Sequence, residues 1–135
     1  MTHGIEWLEA NLEADHDLIV CLVQEASAVF GVNHKMVFMK DRKANLVLVR
    51  NCVFSFCSRR LFWGPVRTAK TFEMDHSTVL HGIDKFSQWC ETNERTNTQG
   101  KEAFRRMECA YLEHVAGPVY REPHEPQFLK FSRFA

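Results

Sequence analysis

The chain has 135 residues, of which 45% are hydrophobic, with eleven Phe and three Trp; that is enough apolar surface for one domain with its own core and too much for an extended disordered polymer. Its 17 basic and 17 acidic side chains cancel to a formal net charge of zero, which excludes a uniformly charged polyelectrolyte. The charges are nevertheless sorted: residues 1–28 carry six acids and no Lys or Arg, residues 29–90 carry ten Lys/Arg against four Asp/Glu (a net of +6), and residues 91–135 carry seven of each. A local positive field of that kind attracts phosphate even on a neutral molecule.

Taken in chain order, Ile5, Leu8 and Leu12, then Leu18, Leu22, Ala26 and Val29, recur at intervals of three and four, with a longer step between Leu12 and Leu18. That is the period of helices with one buried face. Asp15-His16-Asp17 is expected to break the run into two helices, an Asp capping the second, and Gly31 to end it. Asn33 can cap a short turn through Lys35–Phe38. Lys40-Asp41-Arg42-Lys43 reads as an exposed loop.

From Ala44 to Leu61 the reading is less direct, because Leu46-Val47-Leu48-Val49 has strand propensity. Leu46, Val49, Val53, Phe56 and Arg60 nonetheless keep helical spacing, and eighteen residues without Gly or Pro exceed an ordinary strand, so a central helix is expected. Gly64-Pro65 ends it, and a short helix from Pro65 or Val66 to Phe72 follows. Asp75 can cap the next helix, with Val79, Ile83, Phe86 and Cys90 on its buried face. Residues 93–100 are polar and read as a linker. Ala103, Met107, Ala110 and His114 mark a last helix, stopped by Gly117-Pro118. In the tail, Phe128, Leu129, Phe131 and Phe134 are too apolar for a solvated end. Leu46, Val49, Val53, Phe56, Val79, Ile83 and Phe86 are expected in the core.

The organisation expected is a single helical domain over 1–135, with acidic N-terminal helices (1–28), a basic core (29–90) and a C-terminal helix with an aromatic tail (91–135). The opening residues lack a basic stretch followed by an apolar run, so no signal peptide is expected. No apolar stretch approaches the roughly 20 residues of a membrane span, so a soluble, cytoplasmic protein without membrane association is expected. Five cysteines, an odd number without a Cys-x-x-Cys, read as reduced small hydrophobes; neither a metal site nor a cofactor is expected.

The residues Asp75-His76-Ser77-Thr78-Val79-Leu80-His81-Gly82-Ile83-Asp84-Lys85-Phe86 resemble the signature of the C-terminal DNA-binding domain of the bacterial replication initiator DnaA. The upstream order is similar over about residues 26–90: Val29-Phe30-Gly31-Val32, a basic loop, a long helix, then paired helices. The resemblance implies an all-α fold containing a Trp-repressor-like helix-turn-helix. It implies double-stranded DNA as partner, with Asp75, His76, Ser77 and Thr78 reading bases in the major groove. It also implies that Arg42 and Lys43 of the basic loop reach the minor groove or the phosphates, that Arg50 is the basic residue early in the long helix, and that Lys85 is the later cation of the recognition helix. Arg67 and Lys70 complete the phosphate set.

Where the family has Phe-Gly-Gly-Arg before Asp-His, this chain has Phe72-Glu73-Met74, one residue shorter, without the glycines and the Arg and with an added acid. No Gly-x-x-x-x-Gly-Lys-Ser/Thr occurs, so the expectation is a free-standing DNA-binding module, of phage or mobile-element kind, rather than an initiator ATPase. Asp75 is read equally as a plain helix cap, His81 as structural, and Arg59 and Arg60 as cations favoured at a helix end. No enzyme motif is present, and no enzymatic activity is expected. An interaction factor that mimics or binds a host replication or transcription protein is the alternative to DNA binding. A homodimer is the expected route to a longer site, the tail either serving that contact or folding back on its own domain.

Overall fold

The computed structural model describes the backbone of residues 3–116 and the side chains of residues 11–116. The described residues form six helices and no strand, so the chain is all-α: α1 (His3–Phe30), α2 (His34–Val37), α3 (Ala44–Arg59), α4 (Pro65–Phe72), α5 (His76–Thr92) and α6 (Glu94–Ala116). No helix among them is long and apolar enough to cross a membrane.

α1 buries Leu18, Ile19, Leu22, Val23 and Ala26 along one face. Gly31, at φ 70°, turns the chain out of it, and the Val32 amide donates to the Ser27 carbonyl at 3.1 Å. Only glycine takes that left-handed backbone without steric cost. The break expected at Asp15-His16-Asp17 does not occur. No Gly or Pro interrupts the segment, and Asp15 is engaged by a distant arginine rather than by its own backbone. His16 packs its ring 5.9 Å from Phe38.

Asn33 caps α2 as expected, accepting from the Lys35 amide at 3.0 Å. α3 is the axis of the molecule. Every residue from Val49 to Cys57 is buried, so over that stretch the helix has no solvent face, which explains why its sequence reads as both strand and helix. Around it Phe54 meets Phe72 edge-on at 5.0 Å, Phe56 meets Phe104 edge-on at 5.5 Å, and Phe86 stacks on Phe104. The buried apolar cluster draws residues from all six helices.

α4 starts at Pro65, where the missing amide hydrogen costs nothing, and ends at Glu73 in the left-handed region at φ 54°. The Met74 amide closes the end onto the Ala69 carbonyl at 2.9 Å. α5 follows after Asp75. Its Gly82 lies directly on α3: a β-carbon there would stand 2.4 Å from Asn51 Oδ1 and 2.9 Å from Phe54 Cδ2, so the two helices meet through the absence of a side chain.

The linker expected over 93–100 is instead the first two turns of α6. Asn93 alone separates α5 from α6 and caps it, accepting from the Thr96 amide at 2.9 Å. The small or polar Asn97 and Gly100 are buried in line with Ala103, Phe104 and Met107. Polar composition misled here because close packing needs small residues, not apolar ones. α6 packs chiefly along α1, where Arg106 and Glu25 pair at 3.0 Å. All five cysteines are free thiols, and Cys52, Cys57 and Cys90 are buried.

Candidate nucleic-acid interface

The start of α5 is an exposed cluster of polar side chains. Asp75 caps it, its Oδ1 accepting from the Ser77 amide at 3.3 Å, and His76 Nδ1 lies 3.2 Å from the same oxygen. Both side chains are more than half exposed, and Ser77 and Thr78 are exposed beside them. Val79, Gly82, Phe86 and Cys90 hold the opposite face in the core. The four residues expected to read bases are therefore together, outward and on a rigid helix.

One turn further, His81 is exposed and not structural as read from sequence. It falls four residues after Ser77, three before Asp84 and seven before Gln88, the outward stripe of α5. Gln88 donates to Asp84 at 2.9 Å. The signal that finds His81 is this spacing from Ser77 against the buried Val79 and Phe86.

The six cations expected to meet phosphates separate into two kinds. Arg42, Lys43 and Lys70 are exposed, Lys85 is half-buried, and none of the four has a side-chain hydrogen bond or ion pair among the described residues. The other two are already committed. Arg50 is only 7% exposed; its Nε donates to the Val37 carbonyl at 2.7 Å, and Nη2 to the carbonyls of Met39 and Asp41 at 2.8 and 2.6 Å. Burial lowers its pKa, partly offset by nearby Asp41. Arg50 is thus a strut inside the basic loop, not the outward phosphate contact that the resemblance implied. Arg67 donates twice to the Asp15 carboxylate at 2.8 Å and lies 4.1 Å over the Trp63 ring, and the hydrogen bonds to Asp15 raise its pKa. Arg60 is likewise held, at 2.5 Å from Glu108 and over Tyr111.

Two contacts set the loop beside the helix pair. Phe38, at the loop's start, stacks on Phe72, the last residue of α4, at 5.5 Å. Arg50 then gathers the carbonyls of residues 37, 39 and 41, and Asp41 Oδ1 accepts from the Lys43 amide at 3.0 Å. The loop backbone bearing Arg42 and Lys43 is thereby fixed from within. Against these cations stands Glu73, exposed in the turn between α4 and α5. No group of three or more metal-ligating side chains occurs among the described residues.

This chain is 27% identical over 93 residues to the chromosomal replication initiator protein DnaA 1 of Chlamydia trachomatis, and 28% identical over 72 residues to that of Chlamydia pneumoniae. It is 25% identical over 93 residues to the corresponding protein of Chlamydia muridarum. The chain thus contains a region similar to DnaA. The matches cover 53–67% of this chain but only 16–20% of the initiators, so the matched part is about a fifth of their length. No protein-family model matches the chain. No solved structure matches it.

Proposed function

We propose that this protein binds double-stranded DNA in a sequence-dependent way, in replication or transcription control, by laying the N-terminus of α5 in the major groove. The observation that carries the reading is the outward cluster Asp75-His76-Ser77-Thr78, capped on a helix whose other face is locked to α3. The similarity to the chlamydial initiators supports it, and so does the braced basic loop beside it. In this reading α4, the Glu73–Asp75 turn and α5 act as a helix-turn-helix. His76 donates to guanine, the free oxygen of Asp75 accepts from cytosine N4, and the Thr78 methyl packs on thymine.

Arg42, Lys43, Lys70 and Lys85 supply the phosphate contacts. Four such contacts give a salt dependence of roughly −3 to −4 in log K against log salt. The test is selection from random duplexes followed by fluorescence anisotropy on the enriched site. An enriched motif is expected, with His76→Ala or Thr78→Ala removing about 1–3 kcal/mol of discrimination while Arg42→Ala weakens all duplexes alike. No enrichment over bulk DNA, together with tight capture of a protein partner, would sink the reading in favour of the interaction factor.

A further inference from the structure

At one end of the helix bundle, large apolar side chains are exposed among the described residues. Leu12 of α1 and Val66 of α4 are 45% and 53% exposed, and with Asn11, Gly64 and the stem of Lys70 they line an open groove of about 680 Å³. Arg67 and its partner Asp15 form part of the same wall. Phe62, at the turn into α4, is 84% exposed at φ 58°.

α6 arrives at this end. Tyr111 lies under Arg60 and close enough to Arg67 to act on its charge. One turn later Val115 continues the stripe of Phe104, Met107 and Tyr111, yet it is 62% exposed. Residues 117–135 follow, outside the described residues. They contain Phe128, Leu129, Phe131 and Phe134, four apolar side chains within seven positions.

We propose that the groove between α1 and α4 is the docking site of the chain's own C-terminal segment, residues 126–134. Eleven residues lie between Ala116 and Phe128, a reach of up to roughly 40 Å, about the diameter of a domain of this size, so the groove lies within the tether. A short tether holds such a segment at an effective concentration on the order of millimolar, which favours it over a second copy at ordinary protein concentrations. The chemistry is complementary. The segment's aromatic cluster is an apolar match for the exposed Leu12 and Val66. This inference does not depend on DNA binding.

The test uses the full chain. Val66→Asp changes an exposed groove residue, Phe131→Asp changes the segment, and Leu80→Asp is a control of equal exposure on α5. Each is followed by trypsin cleavage after Lys130, by far-ultraviolet circular dichroism and by amide NMR shifts. Val66→Asp should raise the cleavage rate at least tenfold with helicity unchanged, and Leu80→Asp should not. Phe131→Asp should shift the amides of Leu12, Asp15, Val66 and Lys70. A wild-type tail cut as fast as in Val66→Asp overturns the proposal, as do shifts mapping to another face. Groove shifts that grow with protein concentration, alongside a dimer in sedimentation, also overturn it and assign the groove to a second copy.

Discussion

Arg67 and Asp15, 52 positions apart, form a two-point ion pair in which both nitrogen–oxygen distances are 2.8 Å. The pair joins the acidic first helix to the short helix α4, and Trp63 backs the guanidinium from its other side. The sorted charges of the sequence are therefore partly cancelled in space, and one cation of the basic block is not available to phosphate.

Removing the acid should release that cation. Asp15→Asn is expected to cost about 0.5–1 kcal/mol of stability, since half-exposed pairs are screened, and to strengthen duplex binding. The log–log salt slope should steepen by about 0.9, one added phosphate contact. Arg67→Ala should cost similar stability but leave the affinity of the parent protein unchanged. Denaturant melts and anisotropy titrations at several salt concentrations measure both; a weaker affinity in Arg67→Ala would show that Arg67 reaches DNA despite Asp15.

Arg50→Ala should destabilise the fold by about 3 kcal/mol, because it strips three carbonyls of a charged donor inside the basic loop. Trypsin cleavage at Lys40, Arg42 and Lys43 should accelerate before global unfolding. Arg50→Lys should not rescue, since one ammonium cannot reproduce the planar fork that spans residues 37 to 41. Unchanged proteolysis in Arg50→Ala would contradict the bracing role.

Glu73→Gly should stabilise the protein by about 1 kcal/mol, because Glu73 sits at φ 54°, where glycine has no steric penalty. The greater freedom of glycine in the unfolded chain reduces part of that gain. The same change removes an acid from the turn before the proposed recognition helix, so affinity for DNA should rise as well. A thermal melt and an anisotropy titration on one variant separate the two effects.

The thiols set an alkaline limit. Burial raises the pKa of Cys52 and Cys57 well above the ordinary value of 9.0, and pushes Cys90 up to about 12. Native thiols that stay protonated while unfolded ones ionise contribute stability below pH 9 that is lost as pH rises. Each contributes a slope of up to about 1.4 kcal/mol per pH unit. Denaturant midpoints should therefore be flat with respect to these groups at pH 7–8 and fall above pH 9, with Cys90→Ala reducing the proton count by one. At pH 8 a thiol reagent should label exposed Cys109 first and part-exposed Cys21 next, with Cys52, Cys57 and Cys90 reacting only on unfolding.

Local chemistry by itself determined the helical class and most boundaries. Asn33 and Asp75 cap because a short acceptor side chain reaches an amide two residues on; Gly31 ends α1 because its backbone must turn left-handed; Pro65 opens α4 because it lacks the amide that a first turn leaves unused. The placement of Asp75, His76, Ser77 and Thr78 on one exposed helix start was legible for the same reason. The tertiary structure alone decided the matters that depend on a partner far along the chain. Asp15 did not break α1, because Arg67 takes its carboxylate across 52 positions. Residues 94–100 became helix, because Asn97 and Gly100 fit against a neighbouring helix. Arg50 turned inward to three carbonyls, and His81 remained outside. Periodicity and composition report which side chains can be buried or charged; only the folded chain brings together the partner that uses each one.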